Sequence, residues 1–346
     1  MPLSPFARFL LLMAAFVIVV AGMKAAESLL VPFLLSLFIA IISSPLLSLM
    51  KRFGLPNGLA IVSIILLILI FGIVIVAVVG SSVNDFRTDL PEYQHKLLAL
   101  SDALQQRLAK LGVNIELTQW REIFNPNTAF AFLGNTLAQF GNMMTSALLI
   151  LLTVSFILAE EVRFIDKLRY NLGTSQKTLD ALHRFTAGVN KYMAIKTMIS
   201  VITGLVATVS LMIIGVDYAV LWGLMAFLLN FVPTLGSLLA AIPPVLLAMV
   251  QLGVSSAVVT ALVYVVINIS IGSIVEPRLM GKGLNLSALV VFLSLVFWGW
   301  VLGPVGMLLS VPLTMTVKIA LENFADTRWL SVMLGTAAAE SNDRTT

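Results

Sequence analysis

Residues 217–276 read DYAVLWGLMAFLLNFVPTLGSLLAAIPPVLLAMVQLGVSSAVVTALVYVVINISIGSIVE, with no charged side chain between Asp217 and Glu276. A second uncharged run extends from Gly283 to Val317. A soluble domain cannot hide that much apolar chain. In lipid, helices satisfy their own peptide groups, so long uncharged runs are what spanning segments look like. The chain reads as an all-α polytopic membrane protein, and the few ionisable groups beside these runs are where function concentrates.

Composition agrees. Hydrophobic residues make up 59% of the chain and charged residues 11%, against roughly a quarter charged in soluble domains. The net charge is +4, too small to indicate a nucleic-acid partner. Cysteine is absent, which removes disulfides and thiolate metal sites. His95 and His183 are the two histidines, both in polar segments. No cofactor is expected, and no metalloprotease, P-loop or nucleophile-elbow pattern occurs. An enzyme is therefore not expected.

Apolar segments run at about 9–23, 28–50, 59–80, 143–159, 198–215, 218–250, 254–275, 286–301 and 303–317. The first lacks the small-residue site that signal-peptide removal requires, so it reads as a retained anchor. About eight transmembrane helices follow from this count, with one or two Pro/Gly-broken, re-entrant hairpins. Residues 1–80 form N-terminal transmembrane helices, 81–142 an extracytoplasmic amphipathic insert, and 143–346 a C-terminal transport region. That region includes a cytoplasmic interfacial helix at 161–197. Arg8, Lys51, Arg52, Arg278, Lys282, Lys318 and the basic stretch 160–196 belong inside by the positive-inside rule, which puts both termini in the cytoplasm. Whether 218–250 makes two spans or one re-entrant hairpin is left open.

Two polar regions have patterned faces. Leu90, Leu97, Leu104 and Leu111 recur every seven residues, with Tyr93 and Leu100 between them. Such a stripe packs against the protein itself or the membrane surface, or makes a subunit contact in a homo-oligomer. Asn125-Pro126 reads as the end of a short helix. Leu179, Leu182, Phe185, Val189 and Tyr192 form the second stripe, flanked by Lys177, Arg184, Lys191 and Lys196. It reads as a basic interfacial face.

The breaks come next. One hairpin turns at Asn230, Pro233 and Gly236, the other at Gly303, Pro304 and Gly306, and each has a Trp-Gly pair upstream (Trp222-Gly223 and Trp298-Gly299). Proline removes a donor and glycine permits unusual dihedrals, so these helices are interrupted at membrane depth. Interrupted helices expose peptide groups that hold ions or polar solutes; the alternative is a kink that only aids packing. Glu276 follows Asn268, Ser270 and Ser273, which at helical spacing would line one polar stripe with it. It binds a proton, a cation or a hydroxylated solute, or it anchors a helix end against Arg278 or Lys282. Lys24 and Glu27 read as a surface pair.

At these residues a resemblance becomes specific. Glu276-Pro277-Arg278-Leu279-Met280-Gly281, the break Pro233-Thr234-Leu235-Gly236, and the run from Gly303 to Leu313 resemble the autoinducer-2 exporter family of bacterial membrane proteins. The likeness covers essentially the whole chain, and Ser287–Trp300 is close to enteric members of the family. It implies an inner-membrane transporter that exports the quorum-sensing furanone autoinducer-2, a neutral, hydroxyl-rich solute. Asn230, Thr234, Ser237, Asn268, Ser270 and Ser273 are suitable residue types for such a molecule. Related proteins have also been linked to sodium–proton exchange, which would make Glu276 a coupling carboxylate. A non-transporting oligomeric scaffold is the third reading. The expected partners are the lipid bilayer, a small polar solute, a coupling proton or sodium ion, and further copies of the chain.

Overall fold

A computed structural model of the chain describes residues 4–110, 147–171, 176–233, 235–280, 286–322 and 327–335. Among these residues the structure is helical throughout, with no strand. The helices are α1 (Pro5–Ala25), α2 (Glu27–Arg52), α3 (Asn57–Lys110), α4 (Ala147–Asn171), α5 (Gln176–Ile214), α6 (Ala219–Leu229), α7 (Gly236–Leu252) and α8 (Val254–Ile267). A π-helical segment (Asn268–Val275), α9 (Glu276–Met280), α10 (Ala288–Glu322) and α11 (Arg328–Met333) complete the chain. Leu111, Asn125, Pro126, Thr234 and Lys282 lie outside the described residues, as do the side chains of Leu90, Leu97, Leu100, Leu104, Leu179, Leu182, His183 and Phe185.

Five helical stretches are long and apolar enough to cross a bilayer, within 27–52, 57–86, 187–214, 254–280 and 288–322, the last of them broken at Gly303. Leucine, valine and phenylalanine side chains cover their outer surfaces. In lipid such exposure carries no penalty, so these helices associate through small residues and backbone contact instead. Gly204 and Gly223 show how. A Cβ on Gly204 would stand 2.8 Å from the Gly223 carbonyl oxygen, so α6 lies against α5 with almost nothing between their backbones.

Three element boundaries differ from the sequence expectation. The third span does not end near Gly80. α3 runs on as one helix of 54 residues, projecting its last turns roughly 36 Å beyond the span at 1.5 Å per residue. Nothing between Gly80 and Leu90 breaks the helical pattern, and Pro91 is accommodated within it. Residues 161–197 do not form a separate interfacial helix either. Residues 161–171 continue α4, and 176–197 open α5. Finally, residues 268–275 are π-helical rather than α-helical.

The ambiguity over 218–250 is resolved by length and by its ends. α6 has 11 residues, roughly 16 Å, half of a hydrocarbon core. Its tip residue Asn230 bonds Ser200, which lies about 21 Å along α5 from Ile214. The far end of α7 returns to where α6 began: Gln251 accepts from the Asp217 amide at 3.0 Å and donates to the Gly215 carbonyl at 3.0 Å. α6 and α7 therefore form a hairpin whose tip stops about halfway along the apolar part of α5.

α10 also folds back on itself. Gly303 (φ 64°, ψ −153°) leaves the helix entirely. Trp298 Nε1 donates to Thr314 Oγ1 at 3.0 Å, whereas those positions would be about 24 Å apart in a straight helix. A Cβ on Gly306 would fall on the Trp298 carbonyl oxygen, just as one on Gly236 would fall on the Leu229 carbonyl oxygen. Both breaks are thus tight hairpins closed at a glycine. The root of the second shares an apolar cluster with Ile41 and Ile42 of α2, and its tip reaches Glu27 at the start of α2, so the two hairpins run in opposite senses. The second break therefore lies at the level of a helix end, beside the exposed Lys24–Glu27 pair, and not midway along a span as the sequence suggested.

Candidate functional site

α5 supplies the spine of the site. Val189, Met193, Lys196, Ser200, Thr203, Ala207 and Leu211 recur at spacings of three and four, so they share one face, and all are buried. The two ends of this face are apolar, and its middle is polar. Lys196, Ser200 and Thr203 form a seam along α5 inside a segment that spans the membrane.

Two elements meet the seam. The tip of the first hairpin brings Asn230, whose Nδ2 donates to Ser200 Oγ at 3.0 Å with both groups buried. α9 brings Glu276, whose Oε1 lies 2.5 Å from Lys196 Nζ. The lysine side chain is 5% exposed and the carboxylate 18% exposed. Of the two cations that the sequence offers as anchors for Glu276, Arg278 is exposed and Lys282 lies outside the described residues; the observed partner is Lys196. Low dielectric makes a single unpaired charge there costly, so the two groups compensate each other.

The proposed polar stripe is rearranged by the π-helix. Its i→i+5 turns are wider than α-turns, so positions at α-helical spacing no longer stack. Asn268 Oδ1 accepts from Ser237 Oγ at 3.0 Å, linking the segment to the start of α7. Ser270 turns to its own backbone and donates to the Val266 carbonyl. Ser273 is exposed. Thus Asn230 and Glu276 meet on α5, and Asn268 joins the first hairpin. Pro304 and Gly306 sit apart from Glu276 in the second hairpin.

Aromatic rings hold the first tip in place. Phe231 is edge-on to Phe38 of α2 at 5.7 Å and to Phe227 at 5.6 Å, and Phe227 meets Phe71 of α3 at 6.2 Å. Edge-to-face pairs prefer this separation. At the other break, Glu27 does more than form a surface pair. It bonds Lys24 at 2.8 Å, and its Oε1 lies 3.2 Å from where a Cβ on Gly303 would stand.

The root of the first hairpin is clamped to the projecting part of α3. Tyr93 Oη donates to Asp217 Oδ2 at 2.6 Å, and Tyr218 Oη donates to Asp89 Oδ2 at 2.6 Å. Tyr218 adopts a left-handed conformation (φ 58°) that points it at this pair. Desolvation, then the bond to Asp217, pushes the Tyr93 phenol above its ordinary range. Desolvation, then the bond to Asp89, raises Tyr218 likewise. Tyr93 of the heptad stripe therefore packs against the protein's own hairpin.

Lys196, Ser200 and Thr203 were the residues missed. Their signal was present as an i, i+4, i+7 pattern, but Lys196 looked like one more cation of a basic face. Thr203 Oγ1, Thr197 Oγ1 and Tyr264 Oη are buried with no hydrogen-bond partner among the described residues. Among the described residues, no cluster of three or more His, Cys, Asp or Glu side chains could hold a metal ion. The arrangement offers amide and hydroxyl groups plus one self-neutralised ion pair, which suits recognition of a polar, uncharged molecule.

Comparison with known proteins places the chain. The family model for AI-2E family transporters matches residues 10–326. The AI-2 transport protein TqsA of Escherichia coli K12 is 41% identical over 327 residues, covering 94% of this chain and 95% of its own. The putative transport protein YhhT of the same organism is 36% identical over 334 residues, 96% of each chain. A putative transport protein of Haemophilus influenzae is 37% identical over 337 residues, 95% of this chain and 96% of its own.

Proposed function

This chain belongs to the AI-2E family of transporters, and from that membership we propose that it exports a small, neutral, hydroxyl-rich solute, autoinducer-2, across the bacterial inner membrane. The observation that carries the solute class is the mid-depth meeting of Asn230 and Ser200 beside an ion pair that is already neutral. A solute entering there exchanges hydrogen bonds with an amide and hydroxyls and leaves no net charge behind. The similarity to a relative described as an AI-2 transport protein supports the choice of solute.

Pro233 and Gly236, at the tip of the first hairpin, give the solute one wall. Asn268, Ser270, Ser273 and Glu276 flank the route on the other side, and Pro304 and Gly306 shape the second hairpin as its inverted counterpart. No nucleotide-binding motif occurs in the chain, so flux is passive or driven by an ion gradient. With the basic loops inside, both termini are cytoplasmic, and the Tyr93–Asp217 clamp faces outward.

Sodium–proton exchange is the second reading, favoured by the carboxylate of Glu276 within a spanning segment. A sodium ion would have to displace the Lys196 ammonium from Glu276, which weighs for the neutral solute.

Vesicles loaded with autoinducer-2 and reconstituted with the purified protein test the proposal. Efflux should exceed that of protein-free vesicles and fall at least tenfold in Asn230→Leu. Equal efflux from protein-free vesicles would refute it.

A further inference from the structure

The π-helical segment lies between the two contacts that join the route to its moving parts. At its start, Asn268 bonds Ser237 at the foot of α7. Immediately after its end, Glu276 bonds Lys196 on α5. Long π-helical runs are rare, and single wide turns recur at functional sites. A wide turn holds one residue more than an α-turn. Releasing that residue rotates everything downstream by about 100° around the helix axis.

We propose that Asn268–Val275 is a register switch, and that Lys196 is the positioning residue against which it locks. In the π register, Glu276 faces Lys196 and the seam is closed on the basic side. In the α register the carboxylate turns away from the ammonium, and the end of the seam opens. The Asn268–Ser237 bond couples this rotation to the first hairpin, so tip and lock move together. Three features support the reading. The segment has no buried side chain to resist rotation. Gly272 lets Asn268 approach closely, since a Cβ there would stand 2.9 Å from Asn268 Oδ1. The pair it carries is the only ion pair among the described residues in which both side chains are less than a fifth exposed. The inference rests on the transport reading for its purpose but not for its geometry.

Two single-residue deletions test it, both at lipid-facing positions whose loss leaves no cavity. Ile274 lies in the π segment and Val258 in α8, 41% and 53% exposed. Deleting Ile274 removes the extra residue, restores α-turns and leaves the register on either side of the segment intact. Deleting Val258 from an ordinary α-helix swings one half of the helix by about 100° against the other. The deletion of Ile274 should therefore give a monodisperse protein melting within a few degrees of the full chain, with efflux at background. The deletion of Val258 should give no folded species. Spin labels at Asn57→Cys and Ser273→Cys, in a chain without native cysteine, should report two distances in the full-length protein and one after deletion of Ile274. Equal collapse of both deletions, wild-type efflux after deletion of Ile274, or a single distance in both proteins would each overturn the switch. If the full-length protein moves no autoinducer-2, the solute assignment fails, and the two distances still decide the switch.

Discussion

At the residue scale, the account turns on Lys196 and Glu276. The sequence singled out the carboxylate because it closes an uncharged run. Its partner was hidden because Lys196 stands among several cations, and only the fold shows which of them points inward. Removing one partner of a buried pair strands the other charge, at a cost of about 3–5 kcal/mol, whereas removing both is often neutral. Lys196→Met should therefore lower thermal stability strongly, and Lys196→Met/Glu276→Gln should recover most of it. If the pair only braces the helices, the double variant also recovers efflux. If it is the lock of the route, stability returns and controlled efflux does not. Comparable stability loss in the single and double variants would show that the pair is not coupled. Glu276→Gln alone removes a titratable group but keeps its shape. If protons drive export, efflux measured at several pH values should lose its pH dependence in that variant.

At the element scale, the two hairpins were legible from Pro, Gly and the Trp-Gly pairs, because those residues act locally. Their depth and inversion were not, since they depend on which distant helix each tip meets. The structure also changes what a substitution at Gly236 does. A Cβ there falls on the Leu229 carbonyl oxygen, and one at Gly306 falls on the Trp298 carbonyl oxygen. Bulk at Gly236 thus pries the hairpin open instead of simply filling a gap. Gly236→Ala and Gly306→Ala should each destabilise the protein by about 1–3 kcal/mol, the usual cost of overpacking. Little change in melting temperature for either would contradict the tight closure. The clamp at the hairpin root makes a third prediction. The Tyr93 and Tyr218 phenols are raised, so the folded state holds their protons more tightly than the unfolded state. That contribution is fully present below about pH 10, the ordinary phenol value, and is lost as pH rises further. Thermal stability should fall as pH rises above about 10, and the slope should be smaller in Tyr93→Phe/Tyr218→Phe. An unchanged slope would remove the clamp from the stability of the outer side.

At the scale of the whole molecule, the sequence determined class and surface better than shape. Long uncharged runs can only be buried in lipid as helices, so the polytopic fold was readable directly. The continuous α3 was not, because a polar helix and an apolar helix joined end to end look like two elements to a hydropathy argument. The π segment is invisible for a different reason: its residues carry ordinary helical patterning, and the wide turns show only in the fold. The basic loops predict an orientation, and the absence of cysteine makes it measurable. A thiol at His95→Cys should react with an impermeant reagent from outside intact cells, and one at Phe53→Cys only after the membrane is opened. The reverse pattern would place both termini on the outer side.

Whether a neutral polar solute crosses beside a self-compensated ion pair is decided by one flux experiment. Purified protein in matched vesicles is given autoinducer-2 and sodium in parallel under an imposed pH gradient. The account predicts saturable movement of autoinducer-2 with no sodium flux above that of protein-free vesicles. Sodium movement that collapses the pH gradient, with autoinducer-2 left behind, would contradict it.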